Sequence, residues 1–268
     1  MRKFCVILSI YTIIFLALVF ASLAGEVTPG KDIAGGEFGV IYECAFPNTV
    51  VVDGILNDDA WIVAPWHTIT NEEGTQPAPD AADATCSFAA VADNEWLYVA
   101  IRLTDDTIHA GETDTWEDDS VEIYIDANHA ATETYEGDDS QITIGAGNIG
   151  AAVDAPHLTG SANAINTGTI AAVVESADGW LVEAAVPLSN DLWTIVPQDG
   201  LVIGFNIHFN DDDDGATRDH KLIWSLLDTD DQSWQNTSRF ADLEFVKLQL
   251  AVEPTGKLTS AWGKIKQH

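Results

Sequence analysis

The stretch Trp116–Asp126, which reads WEDDSVEIYID, decides the fold of this chain. From Val121 onward, apolar and polar side chains alternate strictly, and this is the period of a β-strand that has one face in a core. Val121, Ile123 and Ile125 fall on one face, and polar side chains fall on the other. The stretch therefore predicts a half-buried strand with a solvated polar face.

The polar face of this strand carries Glu122, Tyr124 and Asp126 next to Trp116. An indole ring offers a flat apolar platform to the C–H face of a sugar ring, and carboxylates accept hydrogen bonds from sugar hydroxyls. The segment is thus a candidate sugar-recognition surface. A solvated strand face beside a core tryptophan is the alternative interpretation.

The rest of the chain is a series of short strand-like segments separated by clusters of Asp, Asn, Gly and Pro. Strands are predicted at 50–52, 96–103, 165–174, 180–186, 202–210, 222–225 and 243–250, with a helical turn at 58–61. The segments 165–174 and 180–186 flank a turn and predict a hairpin. The pattern favours an all-β fold, an antiparallel β-sandwich of the jelly-roll or immunoglobulin-like type.

The N-terminus has the features of a secretory signal, because two basic residues precede an apolar run that ends in small residues. We predict a signal peptide at 1–24, a lead-in at 25–45, the sandwich at 46–250 and a basic tail at 251–268. The run of about 20 residues leaves an uncleaved membrane anchor as the alternative. The predicted location is secreted or at the cell surface.

The charge balance is strongly acidic, with 43 Asp and Glu against 11 Lys and Arg and a formal net charge of −32. Such a surface repels nucleic acid and anionic membranes, so we expect no nucleic-acid partner and membrane contact only through an uncleaved N-terminal segment. Clustered carboxylates are hard oxygen ligands, and the loop with Asp211, Asp212, Asp213 and Asp214 is the candidate structural Ca²⁺ site. A solvated acidic turn is the alternative.

Two cysteines follow the predicted signal peptide, Cys44 and Cys86. An even pair in an oxidising compartment predicts a disulfide between them.

Six segments in order, from residue 50 to residue 246, resemble family 9 carbohydrate-binding modules. They are VVDGILNDDAW at 51–61, EWLYV at 95–99, the stretch at 116–126, GWLVEAAV at 179–186, IGFNI at 203–207, and the closing series WS, SW and FADL between 224 and 243. The resemblance implies a DOMON-like β-sandwich of the kind attached to secreted xylan- or glucan-degrading enzymes, with structural calcium near a sugar site.

The resemblance also implies roles for particular residues. Two tryptophans of the family clamp a sugar at a reducing end, and these positions match Trp116 and Trp234. Glu122 matches a carboxylate that accepts hydrogen bonds from sugar hydroxyls, and Gln141 aligns with a further residue that makes a polar contact. An Arg and an Asn of the family, both sugar contacts, align with Thr143 and Gly145, so the preference for reducing ends is not carried over.

Together these patterns predict an exported, non-catalytic module that binds plant-type polysaccharides or oligosaccharides and supports carbohydrate catabolism, with a secreted glycoside hydrolase as partner. The alternative is a calcium-stabilised interaction or adhesion module without sugar binding. We expect no haem, because DOMON-like haem sites often use Met and the only Met is Met1.

We also expect no enzyme activity. A glycosidase needs two carboxylates about 5–9.5 Å apart. Glu122 and Asp126 are about 13 Å apart by strand rise, which leaves Glu122 with Glu183 as the pair to test.

Overall fold

The computed structural model describes residues 35–111, 114–161 and 163–248. The predicted signal peptide and basic tail lie outside these residues. The strands are β1 Gly36–Glu37, β2 Ile41–Phe46, β3 His67–Ile69, β4 Ala84–Ala92, β5 Trp96–Asp105, β6 Ser120–Asp126, β7 Asp139–Gly145, β8 Leu158–Thr159, β9 Ile170–Ser176, β10 Gly179–Pro187, β11 Leu201–Asp211, β12 His220–Ile223 and β13 Ala241–Lys247. A short helix, α1, spans Ala60–Val63, and 3₁₀ turns lie at Ala146–Asn148, Ala164–Asn166 and Thr237–Arg239. Within the described ranges, no helix has the length and apolarity that a membrane span requires.

The strands form a curled sheet whose two halves pack face to face. One layer has the order β8-β7-β6-β11-β13-β2, and the other has the order β4-β5-β10-β9. The layers join where β2 meets β4 through the register pair Ala45 and Val91. The predicted all-β sandwich is confirmed, with one departure from antiparallel pairing: β2 runs parallel to both β13 and β4.

The core between the layers is built from the apolar faces of the strands. On β11, Phe205 and Phe209 point inward, and both are fully buried. They pack with Phe88 from the opposite layer and with the buried indoles of Trp180 and Trp224. Fully burying one such side chain stabilises the fold by roughly 1.5–3 kcal/mol.

The motif at 51–61 is held against the outer face of the second layer by a buried carboxylate. Glu183 on β10 accepts hydrogen bonds from the backbone N–H of Asp53 at 2.8 Å, from that of Gly54 at 2.9 Å and from the indole N–H of Trp61 at 2.9 Å. Gly54 has φ +79°, in the left-handed region that favours glycine. Residues 50–52 therefore run irregularly rather than as the predicted strand, and the predicted turn at 58–61 leads into α1.

Most predicted strands are confirmed with shifted ends. The hairpin is formed by β9 and β10, although residues 165–169 precede β9, and the segments near 96, 202, 222 and 243 become β5, β11, β12 and β13. Six further strands were not predicted, namely β1, β2, β3, β4, β7 and β8. The predicted boundary between residues 45 and 46 falls within β2, which lies inside the sheet between β13 and β4.

The predicted disulfide between Cys44 and Cys86 is not formed, and both residues are buried free thiols. Cys44 precedes Ala45 on β2, whereas Cys86 lies five residues before the partner of Ala45 on the parallel strand β4. The resulting offset of about four residues is about 13 Å along the strands. A disulfide requires Cα atoms about 5.5–6 Å apart.

We expect both thiols to be protected in the folded protein and reactive after unfolding, without prior reduction. Each is fully buried, and burial raises the pKa of both thiols. Thiol titration before and after denaturation measures this, and C44A and C86A should each remove one late-reacting thiol. A melting temperature that falls on addition of dithiothreitol would contradict the free-thiol assignment.

Candidate functional site

The outer face of the β7-β6-β11 sheet carries a buried polar array arranged in register rows. In one row, Glu122 lies between His208 on β11 and Thr143 on β7. The next row consists of Asn206, Tyr124 and Gln141. All seven residues of β6 are buried, so the strand face predicted to be solvated is covered.

Glu122 is the centre of this array. Its Oε2 lies 3.0 Å from Lys221 Nζ and 3.1 Å from His208 Nδ1, and it accepts a hydrogen bond of 2.5 Å from the Tyr124 hydroxyl. Burial by itself would raise the pKa of Glu122, but the Lys221 ammonium and His208 outweigh it and hold that pKa well below its usual value. Glu122 is therefore an ionised hydrogen-bond acceptor at neutral pH.

Asp231 connects the two cations of the site. Lys221 Nζ lies 3.0 Å from Asp231 Oδ1, and Arg218 Nη2 lies 2.8 Å from Asp231 Oδ2. Arg218 also donates from Nη1 to Asn210 Oδ1 at 3.1 Å, and its guanidinium carbon lies 5.3 Å from the ring centroid of Trp116. This chain of contacts links the buried floor to the indole at the rim through a cation–π interaction.

Trp234 is presented by its neighbour Ser233. The Ser233 N–H donates to Asp228 Oδ2 at 3.0 Å, and its hydroxyl accepts from Asn206 Nδ2 at 3.0 Å. Burial would raise the pKa of Asp228, but His208 and Ser233 lower it to about 2, so this anchor is ionised. In the Ser233-Trp234 pair, Ser233 therefore anchors the loop and Trp234 exposes its indole.

These residues enclose a cleft of about 570 Å³, within the range of small-molecule sites. Trp116 and Trp234 are 43% and 46% exposed, whereas Glu122 and Lys221 are 1% and 2% exposed. The lining residues are Asp114, Thr115, Trp116, Glu122, Gln141, Thr159, Gly160, Ser161, Arg218, Lys221, Asp231 and Trp234. The structure therefore brings all four predicted sugar-contact residues into one cleft.

Gln141 on β7 and the segment 159–161 form one wall. Gln141 Oε1 accepts from the backbone N–H of Ser161 at 2.9 Å, which fixes the side-chain amide. Thr143 is buried beneath Gly160, where an added Cβ would lie 3.1 Å from its Oγ1, and Gly145 is covered by Thr115. Neither aligned position lines the cleft.

The cations of the cleft come instead from Arg218 and Lys221, which the sequence analysis missed as site residues. Their signal was weak. Arg218 follows an acidic loop, and Lys221 is the second residue of a short strand. Two basic residues flanking the start of a short strand in so acidic a chain could have marked them for closer inspection.

The carboxylate pair considered for glycosidase chemistry is divided between the two layers. Glu183 makes its three hydrogen bonds at the outer face of the second layer and does not line the cleft. Asp126 accepts backbone bonds from Ala130 at 3.2 Å and Ala131 at 2.9 Å.

The four aspartates 211–214 divide among separate groups rather than forming one site. The groups whose ligand atoms lie within 4.8 Å of one another are Asp105, Asp119 and Asp211; Asp83, Asp211, Asp213 and His220; and Asp212, Asp214 and Asp219. We call the first group the buried carboxylate triad, because all three members are buried.

The triad is a place where three negative charges together are unfavourable. Burial first, and neighbouring carboxylates second, raise the pKa of Asp211 to about 9 and that of Asp119 to about 8. Burial also raises the pKa of Asp105 to about 6. Asp211 Oδ2 is buried without a hydrogen-bond partner. Buried oxygens of this kind fit a hard divalent cation.

Several characterised proteins are similar in sequence to this chain. The chain is 32% identical to endo-1,4-beta-xylanase A of Thermotoga neapolitana over 211 residues, which are 78% of this chain and 18% of the xylanase. It is 32% identical to exoglucanase XynX of Acetivibrio thermocellus over 200 residues, 74% of this chain and 16% of that enzyme. The chain thus spans less than a fifth of the length of these relatives.

Solved structures share the fold. A carbohydrate-binding module of family 9 from Caldicellulosiruptor kristjanssonii in complex with cellotriose superposes with a TM-score of 0.65 at 22% identity, covering 81% of this chain and 98% of that one. The same organism's module in complex with glucose superposes with a TM-score of 0.65 at 21% identity, covering 80% of this chain and 100% of that one.

The family model described as carbohydrate family 9 binding domain-like matches residues 52–248. This match covers most of the chain and includes both half-exposed tryptophans and the charged floor between them. The chain belongs to the carbohydrate-binding module family 9.

Proposed function

We propose that this chain is an exported, non-catalytic module that holds a neutral sugar ring between Trp116 and Trp234. The observation that carries the proposal is that two half-exposed indoles line one cleft with a buried floor of paired charges. Indoles are rigid and bury the apolar C–H surface of a sugar at a small cost in conformational entropy.

The floor supplies the polar half of recognition. Glu122 and Asp231 are acceptors for sugar hydroxyls, and Lys221 has three N–H donors, of which one bonds to Glu122. Three carboxylates against two cations line the cleft, and this balance disfavours acidic sugars. Hydrogen bonds to charged groups each contribute about 1.5–3 kcal/mol.

The ligand class follows from the relatives as well as the cleft. Structural neighbours are complexed with cellotriose and glucose, and sequence relatives are named xylanases and an exoglucanase. We propose β-linked plant-type oligosaccharides or polysaccharide chains as ligands and a secreted glycoside hydrolase as the functional partner. Its contribution to carbohydrate breakdown is then to hold that enzyme near its substrate.

We further propose that Ca²⁺ binds the buried carboxylate triad and stabilises the sandwich. Asp105 ends β5 and Asp211 ends β11, so one ion would tie the two layers together. A cation that binds only the folded state adds about 2.7 kcal/mol of stability at a hundred times its dissociation constant. This role also suits the alternative function, a calcium-stabilised interaction module without sugar binding.

Replacing either rim indole should weaken sugar binding. Loss of one stacking face costs about 1–3 kcal/mol, so W116A and W234A should each raise the dissociation constant for cellotriose about 5- to 150-fold. Isothermal titration calorimetry measures this. The matched control is W66A, since Trp66 is half-buried and contacts Arg102 outside the cleft. Equal affinity in all four proteins, or no binding by the wild type, would refute sugar binding at this cleft.

Removing the buried ammonium should destabilise the protein as well as the site. K221M removes the ammonium that lies between Glu122 and Asp231, and breaking a buried pair costs about 3–5 kcal/mol. Urea denaturation gives the free energy of unfolding. K247M, at an exposed position on β13, is the control and should stay within about 0.5 kcal/mol of the wild type. A K221M stability equal to that of K247M would contradict the ion-pair argument.

Calcium should raise the melting temperature, and a chelator should reverse this. The D105N variant should lose most of the calcium-dependent increase because it removes one triad charge. D191N, at an exposed loop position, is the control and should respond like the wild type. Differential scanning calorimetry with and without EDTA measures the effect. An unchanged melting temperature in the wild type would exclude calcium stabilisation.

A further inference from the structure

A second cluster of potential metal ligands lies beside the triad and differs from it in chemistry. Its members are Asp83 in the turn before β4, Asp211 at the end of β11, Asp213 in the following loop and His220 at the start of β12. One ligand atom from each lies within 4.8 Å of the others. We call this group the imidazole cluster.

The spacing of the imidazole cluster suits a small cation. His220 Nε2 lies 3.5 Å from Asp83 Oδ2 and 3.8 Å from Asp213 Oδ2. In a tetrahedral site with bonds of about 2.0–2.2 Å, neighbouring ligand atoms are about 3.3–3.6 Å apart. Small side-chain movements would therefore complete the coordination.

The cluster also contains buried oxygens without partners. Asp211 is 1% exposed, and its Oδ2 has no hydrogen-bond partner. Asp83 Oδ2 is likewise buried without a hydrogen bond. Three carboxylates face one imidazole here, so the repulsion among them is relieved only in part by His220. A buried, unsatisfied acceptor in such a group indicates a site that a cation completes.

The ligands are held by bonds that leave their metal-binding atoms unused. Asp211 and His220 are register partners on β11 and β12. The loop between them is fixed through the backbone of Asp213, whose N–H donates to Asp219 Oδ2 at 3.1 Å and whose carbonyl lies 3.1 Å from His109 Nε2. The cluster is thus preorganised by main-chain contacts, which lowers the cost of binding an ion.

We propose that Asp83, Asp211, Asp213 and His220 bind a divalent transition metal ion of the Zn²⁺ type, at a second site that shares Asp211 with the triad. Imidazole nitrogen is a ligand for Zn²⁺ and similar ions, whereas Ca²⁺ takes oxygen ligands. Asp211 has two carboxylate oxygens and can serve both groups. The proposal does not depend on sugar binding.

Titration of the folded protein with Zn²⁺ in saturating Ca²⁺ tests the site. We expect one tight equivalent by isothermal titration calorimetry and a higher melting temperature. H220Q should weaken this equivalent by more than the roughly 10- to 100-fold that loss of an outer-shell partner costs, while its response to Ca²⁺ is retained. Substitution with Co²⁺ should give a visible absorption spectrum that H220Q loses.

The matched control is H129Q, since His129 is an exposed histidine that pairs with Asp242 elsewhere on the surface. It should bind Zn²⁺ like the wild type, and D83N should resemble H220Q. If the wild type takes up no stoichiometric Zn²⁺, or H220Q binds it as tightly as H129Q, the proposal is wrong. Because each variant is compared by its melting temperature without metal, loss of folding is distinguished from loss of the site.

Discussion

The cleft depends on one buried ammonium group. Lys221 is almost fully removed from water, and a lone charge there would cost several kcal/mol, so its position requires anions on both sides. Glu122 supplies one from β6, and Asp231 supplies the other from the loop that carries Trp234. Asp231 in turn holds Arg218 under Trp116. The two rim indoles are therefore positioned by a network of paired charges that starts at the buried floor of the cleft. The strands of the sandwich hold the residues of this network in place.

The segment from β11 through β12 serves two regions of the molecule at once. Its acidic part, Asp211 to Asp214, faces the metal-ligand groups, and its basic part, Arg218 and Lys221, faces the cleft. Main-chain pairing between β11 and β12 sets the spacing between these parts. A cation bound at the acidic part would lower the repulsion among the carboxylates of the loop that carries Arg218. Because Arg218 contacts the ring of Trp116, the conformation of this loop and the placement of that ring are physically connected.

The sequence predicted those features that depend on the local pattern of side chains. Alternation in the chain identified β6, and the motif series identified Trp116 and Trp234. The polar face of β6 was predicted to be solvated. It is buried instead, because residues distant in sequence, among them Lys221, pack over Glu122. β4 escaped prediction because its sequence, ATCSFAAVA, is rich in alanine and lacks a clear period. The disulfide was inferred from the number of cysteines and the predicted compartment. Its formation depends instead on the offset between Cys44 and Cys86 along β2 and β4, which the number of cysteines does not reveal. Arg218 and Lys221 became site residues only through partners distant in sequence.

The parallel pairing of β2 with β13 has a consequence for how the chain folds. β2 lies near the start of the described residues and β13 near their end, yet they are neighbours in the sheet, with Ile41 opposite Asp242. Pairing of this kind closes a very long loop, and proteins dominated by such contacts fold slowly. During synthesis, the first layer stays open beside β2 until β13 has left the ribosome. The nascent chain therefore lacks its closing strand until residues 241–247 are free to pair with β2.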